Sequence, residues 1–328
     1  MPQVQERAPE LQLEEHRREL TGYCYRMLGS TFEAEDALQE TMLRAWKSFE
    51  RFEGRAALKS WLYRIATNVC LDMIAGRERR ARPMELSGEG TPQGDLNVLP
   101  EVTWIEPVPD ARVLLEDGDP AALVEARDTL RLALVAALQH LPARQRAVLI
   151  LREVLRWQAT EVAELLDTSV ASVNSALQRA RASIEASGAA VTDAAPVIDA
   201  EQRALLDRYL VAFESYDVDS LVALLHEDAT LSMPPYDLWL RGHAHIAEWL
   251  LGRGAECRGS RLVPIEANGS PGFGQYRPSG PGGRHEPWAL VVLEISGGRV
   301  TGINSFLDTA RLFPLFGLPQ HPDDLVVA

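Results

Sequence analysis

The stretch KSWLYRIATNVCLDMIAGRERR, Lys59 to Arg80, carries four features at one helical period: a narrow apolar face, a polar face that holds a tryptophan, an amide, and a cationic end. On a helical wheel at about 100° per residue, Leu62, Ile65, Val69 and Met73 fall together, which predicts a core stripe. Trp61, Arg64, Asn68 and Asp72 form a second stripe beside it. An indole, a guanidinium and an amide on one face supply what unpaired bases need: a stacking plate, a phosphate partner and an edge reader. Upstream, RFEGR (51–55) places Phe52 and two cations in a turn; Lys59 follows at the helix start, and downstream Arg77, Arg79 and Arg80 offer phosphate contacts. The competing reading is an amphipathic core helix with Trp61 half buried and arginines complementing its C-terminal dipole. The stretch alone does not choose between them.

Working outward, residues 41–82 hold ten Lys or Arg against four acids, although the whole chain has a formal net charge of -14. The overall acidity argues against a simple nucleic-acid coat protein. Its segregation by region weakens that exclusion, because the basic residues collect where the helix pattern is strongest. Apolar residues recur at helical spacing from residue 11 to 82, and Pro83 closes this unit. Residues 83–120 hold six prolines, several glycines and many acids, the composition of a linker. Within it LPEVTWIEPVPD (99–110) is hydrophobic for a free tether, so Trp104 and Ile105 are expected to dock on a neighbouring surface. A second helical unit runs over 121–186, a small-residue hinge over 187–198, and a last unit over 199–328.

TEVAELLDTSVASVNSALQRAR (160–181) reads as helix, tight turn, helix. Thr160 and Ser169 are the expected caps, and Ala163 is small where two helices cross. Val170, Val173 and Leu177 face inward on this reading, leaving Ser172, Asn174, Ser175, Gln178 and Arg179 for a major groove. Many helical hairpins share such a pattern; its combination with a separate basic helical unit is more specific.

With these pieces in place, EAEDALQETMLRAWKSFERFEGRAALKSWLYRIATNVCLDMIAGRERR (33–80) resembles region 2 of bacterial sigma factors. LQHLPARQRAVLILREVL (138–155) with the helix-turn-helix stretch resembles region 4. The extracytoplasmic-function group of the sigma-70 family fits best, because a linker alone separates the two regions. The resemblance implies an all-α σ2 domain that binds core RNA polymerase and opens the minus-ten element, and an all-α σ4 domain that reads the minus-thirty-five element of promoter DNA. It places Asp36, Leu38, Gln39 and Leu43 on the polymerase-binding helix. It also places Phe52, Ile65, Ala66, Asn68 and Asp72 around a pocket for a flipped base. Where many members carry arginines early in the recognition helix, this chain has Asn174 and Ala176, so its base contacts there should differ.

The last unit changes style. Two helical stretches precede alternating apolar segments, and PWALVVLEISGGRVTGINSFLD (287–308) flanks SGGR, a hairpin signal. LLDRYLVAFESYDVDSLVALLHEDATLSMPPYDLWLRGHAHIAEWLL (205–251) resembles the start of a SnoaL-like domain, the α+β cone shared with ketosteroid isomerases. In sigma factors with this appendage the tail is thought to regulate the factor directly, through contacts of the C-terminal domain and linker with the sigma domains. Candidate pocket residues are Met233, Trp239, His243, Trp288 and Asn304, with His245 nearby. No Asp–His pair stands out for proton transfer, so core packing is the favoured role for the tryptophans, and the tail LDTARLFPLFGLPQHPDDLVVA (307–328) is expected to pack on a surface.

Cys24, Cys70 and Cys257 are scattered and form no CxxC pair, which indicates neither a disulfide framework nor a zinc ribbon. No run approaches a membrane span and the N-terminus lacks an apolar signal core, so a cytoplasmic location is expected. The expectation is therefore a non-enzymatic alternative sigma factor without cofactor or metal. Its rivals are a helix-turn-helix regulator acting without polymerase, and an isomerase-like enzyme or small-molecule sensor in the C-terminal domain.

Overall fold

The computed structural model describes residues 9–49, 52, 57–114, 120–186 and 200–324. It divides into two compact units, one from residues 1–80 with 111–192 and one from 81–110 with 193–328. Most of the turn at 51–55 and the stretch read as a hinge, 187–198, lie outside the described residues.

The first unit is helical. After α1 (Pro9–Glu14), α2 (Arg17–Leu28) stops at Gly29, which adopts φ 72° and donates its N–H to Tyr25 O at 2.8 Å. A residue without Cβ takes that left-handed turn without strain. Ser30 then caps α3 (Thr31–Ser48), its hydroxyl accepting the Glu33 N–H at 3.2 Å. Helix α4 (Leu58–Ile74) packs on both, with Tyr23 OH and Thr67 Oγ1 2.7 Å apart and the Tyr23 and Tyr63 rings edge to face at 5.2 Å. The buried face of α4 is Leu62, Tyr63, Ala66, Thr67, Val69 and Cys70, while Ile65 and Met73 of the expected core stripe are only half buried.

A short helix, α5 (Asp110–Val113), lies in the chain where the two units meet. Helices α6 (Pro120–Asp128), α7 (Leu132–Gln139), α8 (Ala143–Leu149), α9 (Ala159–Leu165) and α10 (Val170–Ala186) complete the first unit. They join α2–α4 in one body through two arginines, Arg26 and Arg146, only 5% and 4% exposed. Arg26 donates to Thr129 Oγ1 at 2.7 Å and Gly22 O at 2.9 Å; Arg146 donates to Gln139 Oε1 at 2.5 Å, Gln139 O at 3.0 Å, Leu141 O at 3.2 Å and Met27 O. Burial pulls each guanidinium down to about 10, since desolvation penalises the charged form. Trp157 adds an edge contact on Tyr63, 5.1 Å between centroids.

The turn between α9 and α10 forms as expected, with one cap moved. Ser169 Oγ accepts the Ser172 N–H at 3.1 Å. Helix α9 begins earlier than Thr160, because Glu161 folds back to accept the Gln158 N–H at 2.6 Å; Thr160 lies inside the helix and is exposed. Val173 and Leu177 are buried, whereas Val170, in the first turn of α10, is 38% exposed.

The second unit is α+β. Helices α11 (Ala200–Glu214), α12 (Val218–Ala223) and α13 (Gly242–Leu251) accompany six strands: β1 (Leu225–Ser232), β2 (Trp239–Arg241), β3 (Arg261–Ala267), β4 (Ser270–Arg277), β5 (Glu286–Ser296) and β6 (Arg299–Phe306). Their order is β2-β1-β6-β5-β4-β3, antiparallel except for the parallel β1–β6 pair. Gly297 and Gly298, at φ 56° and 70°, make the tight β5–β6 turn that SGGR announces. Ala289, Val291 and Leu293 join Tyr209, Phe213 and Ile246 of the helices in one core.

The C-terminal helix α14 (Thr309–Leu315) packs on β5, and Phe313, fully buried, meets the Tyr276 ring at 5.1 Å. Farther along the tail, Leu318 comes so near Gly274 that a Cβ there would lie 2.6 Å from its Cδ1, so a larger residue at this strand position would push the Leu318 side chain aside.

The proline-rich stretch 81–110 is a strap laid on this unit. Gly90 N–H bonds Trp239 O at 2.9 Å, Leu99 N–H bonds Pro235 O at 3.0 Å, Val108 and Asn268 exchange two bonds at 3.0 and 3.1 Å, and Gly269 N–H bonds Asp110 Oδ1 at 2.8 Å. Trp104, Ile105 and Val108 are buried, as an apolar run in a tether requires. No described helix is long and apolar enough to cross a membrane.

Candidate functional site

Helix α4 sorts its residues sharply. Arg64, Asn68 and Asp72 are exposed on the face that flanks Trp61, whose ring lies 4.9 Å from Phe52 and 6.3 Å from Phe49. Phe49 was missed in the sequence, although it stands twelve residues before Trp61 in an aromatic-rich turn. The three rings form one aromatic group at the N-terminal end of α4. Two expected pocket residues fare differently: Ile65 is half buried, and Ala66 is completely buried on the core side, so Ala66 does not line an open surface.

The cations are largely engaged. Lys59 pairs with Glu19 at 2.6 Å, and Arg64 donates to Glu164 O in α9 at 2.8 Å. Arg80 is buried and pairs with Glu33 at 3.0 Å, and Arg77 pairs with the same carboxylate. Burial alone would raise the Glu33 carboxyl, but its hydrogen bonds and charge contacts with Arg80 and Arg77 win and hold it below the usual range. Arg79 meets the His140 ring. Arg77 and Arg80 thus work as the C-terminal anchor of region 33–80, against the expectation that both are free for phosphates.

On α3 the stripe Asp36, Gln39 and Leu43 is exposed, Leu43 at 44%. Leu38 is 0% exposed and belongs to the core between α2, α3 and α4, which removes it from the expected contact set. Trp46, three residues beyond Leu43 and 58% exposed, continues the stripe in its place. The spacing 36, 39, 43, 46 was legible in the sequence. A tryptophan left this open on a helix is a usual mark of an interaction face.

On α10, Ser172, Asn174, Ser175, Gln178 and Arg179 are all exposed while Val173, Leu177 and Ala180 are buried. Arg179 donates to Ser175 Oγ at 2.7 Å, and the Ser169 and Ser172 hydroxyls lie 2.9 Å apart. The helix therefore presents a polar, groove-sized ridge with one cation and two adaptable hydrogen-bonding amides.

The C-terminal candidates are not gathered into one site. Trp239 is buried and donates to Ser87 O at 3.0 Å, and His243 faces Leu225 O at 3.2 Å. Asn304 is buried, with its Oδ1 3.0 Å from Ser232 Oγ; Met233 packs against the core of the α+β unit. Only Trp288 of the five lines the large cavity of about 600 Å³ between the strap and the ends of β1, β5 and β6. Among the described residues no group of His, Cys, Asp and Glu is arranged to hold a metal ion.

A helix-turn-helix region fused to a second helical region with exposed aromatic and amide groups defines a DNA-binding transcription protein. Comparison with known proteins agrees. Sigma-70 region 2 matches residues 13–80 and Sigma-70 region 4 matches residues 131–184. The ECF RNA polymerase sigma factor SigG of Mycobacterium tuberculosis (strain ATCC 25618 / H37Rv) is 46% identical over 314 residues, covering 94% of this chain and 83% of that protein. SigJ of the same strain, also an ECF RNA polymerase sigma factor, is 28% identical over 243 residues, 72% of this chain and 70% of its own. The crystal structure of the M. tuberculosis SigJ shares the fold at a TM-score of 0.60 and 22% identity, over 94% of this chain and 99% of that one. The chain belongs to the ECF RNA polymerase sigma factors and is an alternative sigma factor.

Proposed function

We propose that the sigma activity is divided among three surfaces of the first unit. The α3 stripe of Asp36, Gln39, Leu43 and Trp46 binds core RNA polymerase. The exposed side of α4, with Trp61, Asn68 and Asp72 beside Phe49 and Phe52, takes unpaired bases of the minus-ten element. The ridge of Ser172, Asn174, Ser175, Gln178 and Arg179 on α10 reads the minus-thirty-five element. In this scheme the chain itself makes and breaks no covalent bond. Strand separation comes from binding energy spent on exposed bases, by stacking and phosphate contacts.

The observation that carries it is the segregation along α4: Tyr63, Ala66, Thr67 and Cys70 are buried, while Arg64, Asn68 and Asp72 are exposed next to three aromatic rings. The C-terminal unit regulates through the strap. Residues 81–110 connect regions 2 and 4 in the chain and are hydrogen-bonded to the α+β unit, so what loosens or tightens that hold alters the tether between the two promoter-reading regions.

The test is transcription from a cognate promoter with core polymerase, paired with a polymerase-binding assay. Trp61→Ala and Asn68→Ala should impair open-complex formation while leaving polymerase affinity within about twofold, since removing one stacked base partner is worth roughly 1–3 kcal/mol. Equal loss of both activities would return α4 to a structural role.

A further inference from the structure

Residues 97–108 of the strap arch over a cavity of about 600 Å³, within the range that holds a small organic ligand. The arch is pinned at both ends. Asp237 N–H bonds Asn97 O at 3.1 Å and Leu99 N–H bonds Pro235 O at 3.0 Å, while Val108 N–H is held by Asn268 Oδ1 at 3.0 Å. Pro100 and Pro107 of the arch, and Pro234 and Pro235 opposite, line the space between. Each proline fixes its own φ, so the walls resist closing on one another. Leu99, Trp104, Ile105, Phe306, Leu307 and Leu312 make the interior apolar. An apolar space of this size is filled more favourably by an apolar body than by water.

The polar groups of the lining decide the charge of the occupant. Glu101, Glu106 and Asp308 line the cavity, and Arg311 pairs with Glu101 and lies 3.6 Å from Glu106 and from Asp308. Each acid therefore has a counter-charge within the protein. Trp288 is likewise engaged, its ring covered by the Arg277 guanidinium 3.6 Å from the centroid. A charged ligand of either sign would give up its hydration against groups that are already paired. Tyr236 differs: it lines the cavity, and among the described residues its hydroxyl has no hydrogen-bond partner. We propose that this cavity binds an uncharged, flat, largely apolar molecule with one hydrogen-bonding oxygen, its ring system between the arch and the sheet ends and its oxygen at the Tyr236 hydroxyl. The occupant touches both walls, so it tightens the strap on the α+β unit. At a ligand concentration a hundred times Kd, opening of the strap from the liganded state is suppressed about a hundredfold.

The experiment uses the full chain alone, so its outcome is independent of polymerase and promoter binding. Naphthol, naphthalene, naphthoate and naphthylmethylamine share one ring system and differ in the group it carries. Each is titrated by calorimetry at neutral pH, and amide exchange is followed over residues 98–108. Naphthol, uncharged there, should bind saturably at one site, at least roughly tenfold tighter than the naphthoate anion or the naphthylmethylammonium cation, and slow exchange in the strap. Tyr236→Phe should lower naphthol affinity about two- to tenfold, to the level of naphthalene, and leave naphthalene binding unchanged. Leu99→Trp should fill the cavity and abolish binding while exchange elsewhere in the unit stays native. No saturable naphthol binding, a charged analogue that binds as tightly, or binding that leaves exchange over 98–108 unchanged each overturns the proposal. So does a naphthol preference that survives Tyr236→Phe, or full binding by a natively exchanging Leu99→Trp protein.

Discussion

Replacing Arg146 by methionine tests what holds the two helical regions of the first unit together. Methionine fills much of the space of the arginine stem but donates nothing. The guanidinium makes four hydrogen bonds to oxygens of Gln139, Leu141 and Met27, in a site where the side chain is 4% exposed. A hydrogen bond involving a charged group contributes about 1.5 kcal/mol at the lower end, so their loss amounts to about 6 kcal/mol. Against this stands the relief of a buried charge. A guanidinium pulled from 12.5 to about 10 by burial is disfavoured in its charged form by about 3 kcal/mol. The net is a loss of about 3 kcal/mol, near the lower end of what breaking a buried polar network does. Native-state amide exchange reads it locally: protection over residues 20–28 and 139–149 should fall about a hundredfold. The exposed Arg179→Met should leave those peptides unchanged. A fall of less than about fivefold in Arg146→Met, or a gain, would refute the view that this arginine network joins α2 to α7 and α8.

Leu43→Ala combined with Trp46→Ala should weaken binding to core polymerase by at least about 2 kcal/mol in an equilibrium assay, with native amide exchange retained; Leu38→Ala should instead destabilise the first unit by about 2–5 kcal/mol. Burial raises the phenols of Tyr23 and Tyr209, and pushes those of Tyr216 and Tyr276 up to about 12. With folded values above the unfolded value of about 10, their contribution to stability is complete below that pH and is lost as pH rises toward 12 and beyond. Phenolate absorbance should therefore appear together with loss of the helix signal, and phenolate formation near pH ~10 in all tyrosines of a folded protein would contradict their burial. Phe313→Ala should destabilise the second unit by about 3–5 kcal/mol, seen as faster exchange in β4 and β5 and not in α2–α4.

Periodicity located α4, the helix-turn-helix and the β5–β6 hairpin, because each is specified by residues near one another in sequence. It did not show which of two adjacent stripes faces inward. On α3, Leu38 is core and not a contact residue because α2 and α4 pack on one side of the helix, and that side is decided by Tyr23, Tyr25 and Leu62 from elsewhere in the chain. Arg80 looked like a phosphate ligand because its partner, Glu33, lies 47 positions earlier. The pocket candidates show the same limit: Trp239 and Asn304 are polar-tipped residues in an apolar region, but their tips are satisfied by Ser87 and Ser232. The cavity itself was illegible: the sequence marks Trp104 and Ile105 as residues that dock, but not the sheet ends near Pro234 and Phe306 that they face across it.

The strap also fixes an order of events during synthesis. Val108 exchanges hydrogen bonds with Asn268, 160 positions later. At about 5–20 residues per second, that partner is made roughly 8–30 s after the strap leaves the ribosome. For that interval Trp104, Ile105 and Val108 have no sheet to cover them, so the newborn chain offers an apolar segment to chaperones and proteases. Cells with slowed translation should therefore accumulate fragments cut near residues 98–108 before any cut appears in α2–α4.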